Sequence, residues 1–383
     1  MGATAHSLST PTGLRWSDGC RAALAGWVAA RLAVALGFLL AHGLSGHIAL
    51  PDGRLHLDEG LMTWDGTFYR VIAEGWYHGP ATPGEAVRFF PAYPGLGKLL
   101  APITFGNVDV ALLLLANIAA VAAGVLVWRL AAEVTGDPPT GIRAAWMVAL
   151  IPAANVFAFA YTEAPMLLAG AAVLLALHRR SPWVAAAVGL GAGLLRPSGV
   201  LLALPAAIEA IRWYLDAPRR RPLDIVGWGA ATVAPVAGLA AAMVWVSQPG
   251  GDVGESFRIQ RQLRDGFRDP LTRLVQAFVD FAHGSLHDIY NVAFALGFAA
   301  LFVVAVRKRQ PLSWLAFMAA TWVVAVGGNN MDSVGRYCVV APPFAIALGQ
   351  WARARGLQVA VATVGLVATV WFTSEVMLGR IIP

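Results

Sequence analysis

The chain has 383 residues, of which 58% are hydrophobic and only 13% charged, with a formal net charge of +6 and a mean hydropathy of +0.63. Those figures exclude an ordinary soluble globular protein, because apolar runs long enough to cross a bilayer recur along nearly the whole length. The positive charge does not indicate nucleic acid, since the basic residues stand in small clusters at the ends of apolar runs, where the positive-inside bias puts them.

Residues 1–20, rich in Ser, Thr and Gly, read as a cytoplasmic tail, and 21–383 as a single integral membrane domain. The first apolar segment, Ala22 to Leu44, reads as an uncleaved signal anchor. With the Arg clusters taken as cytoplasmic, it leads outward into a first outer loop, 45–108. There, Trp64, Phe68, Ile72 and Trp76 recur at every fourth position and predict an amphipathic surface helix. A second span, Asp109 to Leu130, returns inward; a third runs out to Tyr161; a short turn leads to a fourth, ending at His178, Arg179 and Arg180. The stretch from Trp183 to Tyr214 carries basic residues at both ends and a break at Arg196-Pro197-Ser198-Gly199. Two short helices meeting there fit the pattern. Broken backbone at membrane depth is tolerated only where it is buried in protein or lines a polar cavity, which makes Arg196 a cavity candidate.

A span from Ile225 to Val246 leads to a second outer loop, 247–288, whose middle reads as interfacial amphipathic helix. Its Arg258, Arg261, Arg264 and Arg268 suit anionic lipid or a phosphorylated carrier. Spans over Ile289–Val306 and Leu312–Val326, a polar segment from Gly327 to Tyr337, and two last spans flanking Arg353 and Arg355 bring the total to about eleven crossings. The fold class is therefore an all-α polytopic membrane protein. On this topology roughly sixteen of the twenty-two acidic residues fall outside, which the positive-inside rule does not require. Carboxylates gathered there, with Arg196 and Arg336 near the same face, describe a polar site at the outer boundary. Arg31, inside the first span, reads as snorkelling to the headgroups. His283 and His287, with Asp280 and Asp288 nearby, share a helical spacing, but no third His lies close. Cys20 and Cys338 would lie near opposite membrane faces, so no disulfide framework is expected.

Several short runs, in order, carry a family likeness. Trp64-Asp65-Gly66 followed by Phe68-Tyr69 and Gly75-Trp76-Tyr77, then Arg88-Phe89-Phe90-Pro91-Ala92-Tyr93-Pro94, resembles the GPI mannosyltransferase II (PIG-V-type) family and its bacterial relatives. So do Ala160-Tyr161-Thr162-Glu163, the Arg196-Pro197-Ser198-Gly199 break and Ser333-Val334-Gly335-Arg336-Tyr337. The resemblance implies a GT-C-type fold and a polyprenyl-phosphate-linked donor sugar, mannose. It implies a reaction at the outer face that depends on an acidic residue of the first large loop, a position matched by Asp65, with Asp58 beside Glu59 in reserve. Trp64, Tyr69, Tyr93, Tyr161 and Glu163 are the candidate substrate contacts, and Arg196 and Arg336 the candidate phosphate contacts.

Elementary chemistry runs parallel to that implication. Transfer from a lipid phosphate needs no nucleotide, and no glycine-rich phosphate loop is present. A carboxylate must take the proton from the acceptor hydroxyl, and guanidinium groups suit the charge gained by the leaving phosphate. A single inverting displacement needs one base; a retaining reaction would need a second carboxylate, for which Asp58 or Glu163 would serve. Plainer roles compete: Asp65 and Glu163 could cap helices, and the loop aromatics could be interfacial packing.

The sequence thus predicts a plasma-membrane glycosyltransferase moving mannose from polyprenyl-phosphate-mannose to a glycolipid or cell-envelope glycan at the external face. Membrane lipids are its surroundings and nucleic acid is not a partner. No cofactor or metal ligand set is expected, with a divalent metal left open. The rival reading is a transporter or flippase of lipid-linked sugars. It should thread charge through several spans toward both faces, whereas the inner half of the bundle reads as apolar. An inactive partner subunit would lack the acid that Asp65 supplies.

Overall fold

A computed structural model describes residues 15–47, 55–77, 79–247, 252–263, 266–283, 289–328 and 331–382. Arg264, His287 and Asp288 lie outside the described residues. The chain is an all-α polytopic membrane protein; among the described residues the only extended pairing is an isolated bridge between Phe267 and Gly328. In chain order the helices are α1 (Trp16–Leu44), α2 (Asp65–Gly75), α3 (Ala92–Leu100), α4 (Val108–Thr135), α5 (Pro138–Met147), α6 (Glu163–His178), α7 (Pro182–Leu195) and α8 (Ala203–Asp216). They continue as α9 (Pro222–Val246), α10 (Glu255–Leu263), α11 (Pro270–Ala282), α12 (Ile289–Arg307), α13 (Leu312–Val326), α14 (Val334–Val339), α15 (Pro342–Trp351) and α16 (Arg355–Met377).

Six described helical stretches are long and apolar enough to cross a membrane unaided: α1, α4, the run from Pro197 through α8, α9, α12 and α16. Shorter apolar helices α6, α7 and α13 stand among them. Local chemistry sets their ends. The Asn107 side chain accepts from the Val110 amide at 3.0 Å to open α4, and Gly136 closes it in the left-handed conformation, φ 63°. Prolines sit in the first turn of α5, α7, α9, α11 and α15, where their missing amide costs nothing. Small residues let helices approach closely. A Cβ on Gly238 of α9 would collide with the Leu190 carbonyl of α7, so that crossing is built on glycine.

The expected break at Arg196 is present, with α7 ending at Leu195, Arg196 extended at φ −165° and ψ 156°, and a 3₁₀ turn over Pro197–Leu202 leading into α8. Gly199 lies so close to the Ala192 carbonyl that no Cβ would fit. The expected third span is not continuous. α5 gives way to 3₁₀ turns at Val148–Leu150 and Pro152–Phe157, because Pro152 lacks the amide that would carry the helix on. The penultimate passage is likewise made of two short pieces, α14 and α15, and every residue of α15 from Pro342 to Gln350 is buried.

In the first loop the helix forms where predicted, with Ile72 of the expected stripe buried and Phe68 packed on the same core. Gly66, Tyr69, Ile72 and Ala73 are buried, whereas Trp64 and Trp76 are the residues flanking the helix, each with positive φ. The reason lies outside the helix. α2 packs on α3 and on the turn at Ala160, and a shared core of Tyr69, Ile72, Phe89, Tyr93 and Leu112 welds the loop to α4. The second loop forms two amphipathic helices, α10 and α11, separated at Gly266, with α10 lying over the 3₁₀ turn Gly84–Arg88.

Candidate functional site

Four charged residues from four separate segments meet beneath the first loop. Arg336 Nη1 donates to Asp65 Oδ2 at 2.7 Å, and Arg336 Nε stands 3.2 Å from Glu163 Oε1. Arg196 Nη1 is 2.8 Å from the same Glu163 oxygen. Glu163 is thus an acid between two guanidiniums, with its side chain 2% exposed, while Asp65 remains 22% exposed. Burial of this many charges is tolerable only because each carboxylate faces an arginine. The rings of Tyr161 and Tyr337 lie 5.5 Å and 5.7 Å from the Arg336 guanidinium, and Tyr337 lies 5.1 Å from that of Arg196.

Local backbone explains how each acid reaches its arginine. Asp65 is the first residue of α2, and no side chain makes a cap hydrogen bond there; its carboxylate turns to Arg336 instead. Glu163 begins α6 in the same way, with its carboxylate on the arginines. The cap readings therefore do not describe these side chains. Two strained residues precede the partners: Trp64 at φ 55° ahead of Asp65, and Ser333 at φ 66° ahead of the helix that carries Arg336. Non-glycine residues are uncommon there, and such strain gathers at sites where the surroundings over-determine the conformation.

The other predicted residues fall in distinct places. Tyr69 is buried above the cluster, with its hydroxyl 3.3 Å from Thr162 Oγ1. Burial pushes its phenol up, and the Asp65 and Glu163 carboxylates push it further. Tyr161 Oη donates to the Thr63 carbonyl at 3.2 Å, tying the acidic turn to the first loop. Tyr93 is fully buried and its hydroxyl donates to the Leu112 carbonyl at 2.8 Å, so it packs the loop against α4. Burial raises its phenol as well, aided by Tyr69 and Glu163. Trp64 has a buried Nε1 with no partner, and its ring lies 4.6 Å from His56. Asp58 is exposed in the turn ahead of Gly60–Met62, outside the paired cluster; its neighbour Glu59 engages His56 at 3.0 Å and Thr63 at 2.9 Å. Two buried side-chain groups close to cluster residues in the chain, Trp64 Nε1 and Ser198 Oγ, have no hydrogen-bond partner.

Two expectations need correction. Arg31 does not snorkel: its Nε donates to Asn117 Oδ1 and its Nη2 to the Phe157 carbonyl, each at 2.6 Å. The Asn117 amide in turn donates to the Leu113 and Ala158 carbonyls at 2.8 and 3.4 Å. A backbone that breaks at Phe157 leaves carbonyls free, and this pair captures them. The opposite end of the bundle is not apolar either. Arg179 grips Glu133 with two bonds of 2.6 and 3.0 Å, and Arg129 joins from the other side. Ser313 donates to Glu209 at 2.6 Å, and Gln310 to Gln350 at 3.0 Å. These groups stand at or near helix ends and meet only in three dimensions. Among the described residues no cluster of three or more His, Cys, Asp or Glu side chains is arranged to hold a metal.

No family model matches the sequence and no curated protein matches it. Solved structures of the oligosaccharyltransferase from Archaeoglobus fulgidus resemble it weakly. Its apo form has TM-score 0.46 at 16% identity, covering 94% of this chain and 56% of that one. A complex of the same enzyme with zinc and sulfate has TM-score 0.43 at 17% identity, over 82% and 49% of the two chains. A third structure, with an inhibitory peptide and a dolichol-phosphate, has TM-score 0.42 at 15% identity, over 92% and 56%. The chain spans about half the length of that protein, and a likeness at this level says nothing about chemistry.

Proposed function

We propose that this chain is a GT-C-type membrane glycosyltransferase that moves mannose from a polyprenyl-phosphate donor to a glycolipid or cell-envelope glycan acceptor at the external face. The observation that carries the reading is the convergence of Asp65, Glu163, Arg196 and Arg336 in one buried network. The motif resemblance drawn from the sequence supplies the donor class and the sidedness.

Within that reading the four residues divide the work by exposure. Asp65, the more open acid, takes the acceptor hydroxyl proton as that oxygen attacks the sugar C1. The C1–O bond to phosphate breaks, and the phosphate departs with the bonding pair. Arg336 and Arg196 stabilise the charge it gains. Glu163, enclosed between them, holds both guanidiniums in place. One base and one displacement invert the anomeric centre; a retaining course would require a second open carboxylate.

The test is sugar transfer by purified protein from synthetic polyprenyl-phosphate-mannose to a panel of acceptors. Asp65→Asn should lower kcat by about 100-fold or more, the usual worth of a general base, while Asp58→Asn stays within a few-fold of wild type. Full activity in Asp65→Asn removes it as the base. The buried polar groups at the opposite end keep a flippase reading in play, since charge does stand toward both faces. Labelled carrier crossing liposomes without sugar transfer would decide for it.

A further inference from the structure

The turn that leads into Asp65 is held by groups to which the proposed reaction gives no part. The His56 amide donates to the carbonyl of Met377, the last residue of α16, at 3.0 Å. The His56 ring Nδ1 stands 3.0 Å from Glu59 Oε2, and Thr63 Oγ1 donates to that same oxygen at 2.9 Å. Thr63 is fully buried, and its carbonyl accepts from Tyr161 Oη and from the Gly66 amide, each at 3.2 Å. Two residues on, the Asp65 carboxylate meets Arg336.

Between these restraints lies Trp64, at φ 55° and ψ −117°. That backbone is unfavourable for a residue with a Cβ and persists only where the surroundings over-determine it. Here the Trp64 ring lies 4.6 Å from the His56 ring, with the planes inclined at 34°, and the Trp64 carbonyl accepts from Thr67 Oγ1 at 2.7 Å. Glu59 links the two flanks of the strained residue. One of its oxygens joins the ring that lies against Trp64 to the hydroxyl of the residue before it, and bonds to an ionised acceptor are the stronger kind. With its side chain 40% exposed, Glu59 adds little to global stability. What it fixes is local geometry, and a misplacement of about 1 Å at a reacting group costs as much as about 100-fold in rate.

We propose that Glu59 is a positioning residue: by bridging His56 and Thr63 it fixes the Trp64 backbone and so aims the Asp65 carboxylate. For what Asp65 does, this rests on the glycosyltransferase reading; for where Asp65 is held, it rests on the hydrogen bonds alone. Glu59 serves as an acceptor and moves no proton, so an amide oxygen, which also has two lone pairs, can replace it.

The transfer assay separates this role from its rivals. Glu59→Ala should lower kcat about tenfold or more, with KM for donor and acceptor within about twofold of wild type and the thermal melt unchanged. Glu59→Gln should recover most of that kcat. Wild-type kcat in Glu59→Ala overturns the proposal. So does a Glu59→Gln as slow as the alanine variant, which would make Glu59 a proton acceptor or a merely structural group. Thr63→Val removes the hydroxyl at nearly constant shape and should resemble Glu59→Ala, and the double variant should be no slower than the slower single one, because both break one link. Multiplied losses would show that the two residues act separately. Hydrogen exchange of the full chain in nanodiscs reads the link without any reaction: amides of residues 60–66 should exchange about fivefold faster or more in Glu59→Ala, and at the wild-type rate in Glu59→Gln. Unchanged exchange in Glu59→Ala overturns the proposal. If wild type transfers no sugar to any acceptor, the functional reading fails, while exchange still decides whether Glu59 holds the turn.

Discussion

Glu163 is the carboxylate that Arg196 faces, and both side chains are almost wholly enclosed. Taking away one member of a buried pair leaves the other uncompensated, at a cost of about 3–5 kcal/mol. Glu163→Gln is therefore expected to lower the thermal stability of the protein in nanodiscs markedly. Adding Arg196→Met should restore part of the loss, because the stranded charge goes with it. A double mutant no more stable than Glu163→Gln alone would show that the pair is not coupled. At Arg336 the geometry asks for more than charge, since one guanidinium edge meets Asp65 and another faces Glu163. Lysine is a point charge that cannot span both, so Arg336→Lys should lose nearly as much activity as Arg336→Gln in the transfer assay.

Elements were legible from sequence where proline, glycine or charge marks their ends. The Arg196 break could be read because Pro197 and Gly199 stand beside it, and the ends of α6 and α12 because basic residues follow. The charged cluster was legible only as a list of motif residues; nothing in the spacing of Asp65 and Arg336, 271 positions apart, says that they touch. The buried face of α2 was legible only in part, at Ile72 and Phe68, because its surroundings arrive from Ala160 and α3, and periodicity within a helix cannot see them. The role of Arg31 was hidden for the same reason, its partners lying 86 and 126 residues away. That clamp fixes the segment leading to Tyr161 and Glu163. Arg31→Lys is expected to reduce activity and thermal stability together, because one ammonium cannot serve both Asn117 and Phe157 as the planar fork does. Lysine behaving as wild type would reduce the clamp to a simple charge.

The whole molecule offers two further tests. Its proposed sidedness is read by introduced cysteines in a Cys20→Ser background, where the remaining Cys338 is buried: Gly84→Cys should react with an impermeant maleimide from outside intact cells, and Lys308→Cys only after lysis. The upper layer also carries buried phenols at Tyr69, Tyr77 and Tyr93, each raised by burial above its ordinary value. A folded state that holds such protons more tightly than the unfolded chain loses stability as pH climbs beyond the unfolded value of about 10. Melting temperature should fall steeply above that pH, and less steeply in Tyr69→Phe.

The grip of Arg179 on Glu133 places the ends of α4 and α6 level with one another at one side of the bundle. Counted from there at 1.5 Å per residue, α4 rises about 42 Å and α6 about 24 Å, so Glu163 lies about 18 Å below the top of α4. The bond from Asn117, partway down α4, to the Ala158 carbonyl agrees with that depth. The charged cluster is thus sunk well below the top of α4, beneath a roof of α2 and α3. On the proposed function, a reaction centre sunk this far would meet a lipid-borne sugar below the bilayer surface while bulk water stays above the roof. Water, although the commonest hydroxyl in the cell, is then a poor competitor for the donor. In the absence of acceptor, release of free mannose should run at less than about one hundredth of the transfer rate, the scale of a missing catalytic group, and opening the roof with Tyr77→Ala should raise that ratio.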